Sequence, residues 1–141
     1  MVLGIRRVAA IAYTVLTVIV ATFQIALALG APWGAYAMGG AFPGRLPPVI
    51  RVLAIIQTII LLLFAGVVLA RGGVALFKWG RISINLIWVV VAVIAVSAVL
   101  NLITPSTGER MIWAPVTMLL LLCSLLVATG PKPNLNGRGD G

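Results

Sequence analysis

Histidine is absent from this chain, and cysteine occurs once, at Cys123. The first absence removes the usual haem ligand, the commonest metal ligand and the commonest proton shuttle. The second excludes an intrachain disulfide and any zinc or iron–sulfur cage assembled within one chain. Acids are nearly missing too: Glu109 and Asp140 are the only two in 141 residues. An enzyme would have to work with one carboxylate and no histidine, so neither catalysis nor a cofactor is expected.

What is present is apolar. The chain is 62% hydrophobic and only 9% charged, which excludes an ordinary water-soluble globule. Ten basic residues against two acids give a net charge of +8, a balance that in a soluble protein points to nucleic acid. Here the basic residues sit singly or in pairs at the ends of apolar runs, with no basic face and no interleaved aromatic platform. That is the pattern of a membrane protein, because Lys and Arg are tolerated at the interface and costly in the bilayer centre. No nucleic-acid partner is expected.

Crossing the hydrocarbon takes roughly 20 apolar residues at about 1.5 Å each, and four such runs occur, at about 8–29, 48–70, 82–104 and 109–129. The first stops at Gly30 and Pro32. The second opens at Pro47-Pro48 and closes at Arg71-Gly72-Gly73. The third follows Lys78, Trp79 and Arg81 and must stop before Pro105. The fourth ends at Gly130-Pro131. The expected fold is all-α, an integral membrane four-helix bundle over residues 1–130, with a disordered tail at 131–141. The first run is too long for the apolar part of a cleaved signal peptide.

Basic residues fall unevenly on the two sides of such a bundle. Arg6, Arg7, Arg71, Lys78, Arg81, Lys132 and Arg138 lie on one side, and Arg45, Arg51 and Arg110 on the other. The richer side is expected to be cytoplasmic, which places both termini inside the cell and the stretch Leu29 to Arg51, with the connection Thr104 to Pro115, outside, in a multi-pass protein of the cell membrane.

No ionisable residue falls in the middle of a span, so the carboxylate relay of a proton-coupled pump is missing. Small multidrug exporters match in size and span count, but they would call for a glutamate in the first helix, and none is there. The polar side chains within the spans are amides and hydroxyls. Gln24, Gln57, Ser97 and Asn101 all fall in the outward half, Ser97 and Asn101 share one helix face, and so do Tyr13, Thr17 and Gln24. They serve either as interhelical hydrogen bonds or as a polar path for a solute.

The outward connections carry Trp33, Tyr36, Arg45, Arg51 and Trp113, residue types favoured at contacts, and beside them Glu109 and Arg110 as further candidates for binding. Arg51 stands in the first turn of the second helix, where a cation is unfavourable, and so calls for an anionic partner. Glu109 is either the far end of a capping box begun at Ser106 or the ion-pair partner of Arg45 or Arg51. Pro115 either kinks the fourth helix or, if that helix starts near Ala114, sits in its first turn.

The stretch Leu29-Gly30-Ala31-Pro32-Trp33-Gly34 is followed by Gly39-Gly40, Phe42-Pro43-Gly44, Leu46-Pro47-Pro48 and Arg51. In it the chain resembles an uncharacterised family of small four-span bacterial membrane proteins with a Leu-Gly-x-x-Trp-Gly stretch after the first helix. The resemblance implies a four-span helical fold and transfers no catalytic residues.

These features lead to a non-catalytic binding, scaffold or accessory protein that uses its outward loops. Its expected partners are the bilayer, an anionic lipid or another membrane protein, and a second copy of the chain. The alternative is a small-solute or anion permease or channel, acting as an oligomer, lined by Gln24, Gln57, Ser97 and Asn101.

Overall fold

The computed structural model describes residues 2–130; the tail expected at 131–141 lies outside the described residues. Four helices account for most of the chain: α1 (Val2–Ala28), α2 (Pro48–Arg71), α3 (Gly80–Ile103) and α4 (Thr107–Ala128). All four are long and apolar enough to cross a membrane, and no strand occurs among the described residues.

Each boundary has a local cause. α1 ends in a Schellman turn at Gly30, φ +104°, where Ala31 N–H donates to Ala26 C=O at 2.9 Å and Gly30 N–H to Leu27 C=O at 3.1 Å. α2 opens with Pro48, whose missing N–H costs nothing in a first turn, and ends in a second Schellman turn at Gly73, φ +70°. α3 stops because Thr104, ahead of Pro105, is held extended at ψ 140°. α4 starts at a Ser106 cap, whose hydroxyl accepts Glu109 N–H at 3.2 Å.

The helix ends agree with the apolar runs to within a few residues, except at the start of α1. The helix begins at Val2, ahead of the apolar run taken to start near residue 8. Arg6 and Arg7 are good helix formers, so α1 runs back through them to the apolar residues Val2, Leu3 and Ile5. The added turns carry Arg6 into the bundle, where it is 5% exposed.

The helices pack in sequence, up and down: α1 against α2 and α4, and α3 against α4 and α2. Their outward faces are apolar at mid-length, with Val15, Ile19, Ile59, Leu63, Val89, Val96 and Leu122 all exposed. A soluble bundle would place polar residues there, so this surface is that of a multi-pass membrane protein. The packed interior has two parts. A larger cluster built on Tyr13, Val68, Ile87, Val90, Leu120 and Val127 fills the half nearer the first residues of α1. A smaller one, Leu27 with Ala37 and Leu46, lies under the α1–α2 connector.

Candidate functional site

The connector between α1 and α2 folds through two short 3-10 turns, Gly34–Tyr36 and Met38–Gly40. It is closed on itself by Gly34 N–H donating to Gly44 C=O at 2.9 Å. Three contacts bind it to the start of α4, and a fourth bond shares one of their acceptors. Ser106 Oγ donates to Ala35 C=O at 2.7 Å and Trp113 Nε1 to Tyr36 C=O at 2.9 Å. Gly39 N–H donates to Glu109 Oε2 at 2.9 Å, and the Thr104 hydroxyl donates to the same oxygen at 2.9 Å.

These contacts give several of the candidate residues their partners. Ser106 caps α4, but the carboxylate of Glu109 does not return to Ser106 N–H to complete a capping box. It does not take an arginine either, since its partners are the Gly39 backbone and the Thr104 hydroxyl. Arg110 Nη2 donates to Thr104 C=O at 2.6 Å. Arg51 Nε donates to Leu46 C=O at 2.9 Å, and a Cβ added at Gly30, beside the end of α1, would lie 3.5 Å from Arg51 Nη2. The partner of Arg51 is thus a carbonyl oxygen, reached by Nε alone. A cation unfavourable at the start of α2 is favourable at the negative end of α1. Arg45 is exposed. Pro115 lies inside α4, because the Ser106 cap starts the helix at Thr107.

Trp33 and Trp113 meet over one ring. Phe23 of α1 stacks on Trp33 at 6.1 Å with planes 9° apart and meets Trp113 at 4.7 Å with planes 57° apart. Phe23 had no sequence signal beyond being an aromatic in an apolar run, and Thr104 none beyond preceding a proline. Gly39 takes part through its backbone, which every residue has.

Beneath this cap lies a cavity of about 700 Å³, which is the size of a typical ligand pocket. It gathers Gln24 from α1, Gln57 from α2, and Ser97 and Asn101 from α3, the four polar residues picked out by depth in the sequence. Glu109 and Trp113 of α4 line it as well. Trp33, Arg45, Arg51 and Arg110 do not. Gln24 Nε2 donates to Gln57 Oε1 at 2.9 Å. Asn101 Nδ2 donates to Ser97 C=O at 2.8 Å, and Ser97 Oγ to Val93 C=O at 2.9 Å.

The lining is asymmetric. On α2 and α3 the lining residues Gln57, Ile60, Val93, Leu100 and Ile103 are exposed, whereas those of α1 and α4 are half-buried or buried. The mouth therefore lies between α2 and α3, on the side of the bundle rather than only at its end. In a bilayer such a mouth faces lipid, and the arrangement suits a molecule with one polar and one apolar part. No protein family, curated protein or solved structure matches the chain.

Proposed function

We propose that the protein is a multi-pass protein of the cell membrane, both ends cytoplasmic, that binds an amphipathic molecule in this cavity without catalysing a reaction. A lipid of the outward leaflet whose polar part takes hydrogen bonds from amides and hydroxyls is the occupant that fits best. Its acyl part would lie on Ile60, Phe64, Val93 and Leu100, and its polar part against Gln57, Ser97 and Asn101. The observation that carries this reading is the convergence of four amide and hydroxyl side chains from three helices in one largely apolar cavity with a lateral mouth. The outward loops contribute by holding the cap in place. Glu109 supports the non-catalytic reading, since its carboxylate is occupied by Gly39 N–H and the Thr104 hydroxyl.

The test is native mass spectrometry after gentle extraction. Wild-type protein should retain one amphiphile per chain, and Gln57→Leu, an exposed position where leucine suits lipid, should lower its occupancy at least tenfold. Equal occupancy in both proteins refutes the reading.

A second reading, a permease for a small solute, is supported by the same convergence, because a solute path needs polar groups from several helices facing one wettable space. Selective flux through liposomes holding the protein would favour it over static binding.

A further inference from the structure

The cavity has one charge in its lining, and it is negative. Among the described residues that line it, Glu109 is the only acid, and no Lys or Arg is present. The chain as a whole is the reverse, with ten basic residues against two acids and a net charge of +8. Arg110, next to Glu109, donates to Thr104 C=O and stays outside the lining, and Arg51 does the same on Leu46 C=O.

Fastening the connector does not use Glu109 up. The bonds from Gly39 N–H and the Thr104 hydroxyl both end on Oε2, and Oε1 accepts none among the described residues. A carboxylate offers about four lone-pair sites, so roughly half of its capacity is left. One neutral acceptor oxygen would serve the same fastening, which leaves the charge without a use in it. A charge half-buried at the edge of a largely apolar cavity is costly to leave without a counter-charge.

Aromatic rings surround the same space. Glu109 and Trp113 stand one turn apart on one face of α4, and Phe23 of α1, Tyr36 of the connector and Phe64 of α2 line the cavity with them. Phe23 meets Trp113 at 4.7 Å. The Tyr36 ring lies against the start of α4, where a Cβ added at Gly108 would fall 2.6 Å from its Cε1. The faces of such rings are electron-rich and attract a cation within about 6 Å of the centroid. One carboxylate, several rings and no base make a setting for a positive group.

We infer that the polar part of the lipid held in this cavity carries an ammonium group, which donates to Glu109 Oε1 among these rings. Its hydrocarbon part leaves through the mouth between α2 and α3. One ammonium balances one carboxylate, and the rest of the head is left to Gln57, Ser97 and Asn101. The inference rests on the amphiphile reading and names the charge of its ligand.

The experiment titrates the purified full chain in maltoside detergent with dodecylammonium, dodecanol and dodecanoate, which share a hydrocarbon chain and differ in the charge of the head. Binding is followed by tryptophan emission, since Trp113 lines the cavity. At a net charge of +8 any non-specific attraction favours dodecanoate, so a preference for the cation belongs to the cavity. Dodecylammonium should bind about tenfold tighter than dodecanol, and dodecanoate weaker than either. Glu109→Gln keeps an acceptor for Gly39 and Thr104. It should weaken dodecylammonium about tenfold and leave dodecanol within about threefold, which also shows that the cavity is intact. If that variant loses dodecanol as well, the wild-type order decides. Dodecylammonium bound no tighter than dodecanol, or unchanged by Glu109→Gln, overturns the inference and leaves the amphiphile reading standing. Saturable binding of none of the three removes both.

Discussion

Glu109 gives the sharpest test of how the connector is held, because its carboxylate oxygen Oε2 accepts two hydrogen bonds, from Gly39 N–H and from the Thr104 hydroxyl, both at 2.9 Å. Thr104 is buried, so the loss of its acceptor is not made good by water. A hydrogen bond to a charged acceptor is worth about 1.5–3 kcal/mol. The two share one oxygen and do not add in full, so Glu109→Ala should cost about 2–4 kcal/mol. Glu109→Gln keeps an acceptor oxygen but loses the charge, which roughly halves each bond, so it should cost about 1–2 kcal/mol. An ion-pair role makes a different forecast, since glutamine removes the charge as fully as alanine does and the two costs should match. The assay is reversible unfolding of the purified protein in mild detergent, followed by tryptophan fluorescence, with hydrogen exchange reporting on the connector. Alanine should hurt about twice as much as glutamine, and Gly39 N–H should exchange faster in both. Equal costs, or an unchanged Gly39 exchange rate, refute the hydrogen-bonded latch.

Three further outcomes follow from the geometry. In Gly34→Ala the new Cβ would lie 1.8 Å from Phe42 O and 2.7 Å from Gly44 O, against backbone that cannot rotate away, so the connector should open. Gly44→Ala meets no atom within 4 Å and bears only the cost of φ +83°, about 1–2 kcal/mol; proteolysis of the connector should be fast in the first and near wild type in the second. Phe23→Ala removes the ring shared by Trp33 and Trp113 and should cost about 3–4 kcal/mol, with a red shift of tryptophan emission in detergent; an unshifted spectrum counts against that stack. In a Cys123→Ala background, a cysteine at exposed Arg45 should react with an impermeant maleimide added to whole cells, and one at exposed Lys78 only after lysis. The reverse pattern would invert the proposed orientation.

The spans were legible because the bilayer demands an unbroken apolar length, and such a length shows in one dimension. Depth was legible for the same reason: Gln24, Gln57, Ser97 and Asn101 fall at matching heights in their runs and do line one cavity. The connector was not legible, because its fastening uses the backbone of Ala35, Tyr36, Gly39 and Leu46, and backbone groups carry no sequence signature. Arg51 shows the same limit. Its position in α2 was read correctly, but its partner belongs to the chain that passes beside it, and nearness between separate segments is a property of the fold. The start of α1 was missed because apolar length measures the hydrocarbon and not the helix, and only the longer helix brings Arg6 inside.

The arginines then divide in a way that bears on any ligand. At the connector end, Arg51 and Arg110 are tied to carbonyl oxygens and stay outside the cavity lining. A site that captured an anion at that rim would leave such groups free, because a guanidinium spent on a carbonyl has fewer donors for a carboxylate or phosphate. At the opposite end Arg6 is buried with two nitrogens unpartnered. A buried positive charge with unpartnered nitrogens thus lies away from the cavity, at the other end of the bundle. A polar head bound at the cavity would accordingly be met mainly by amides and hydroxyls.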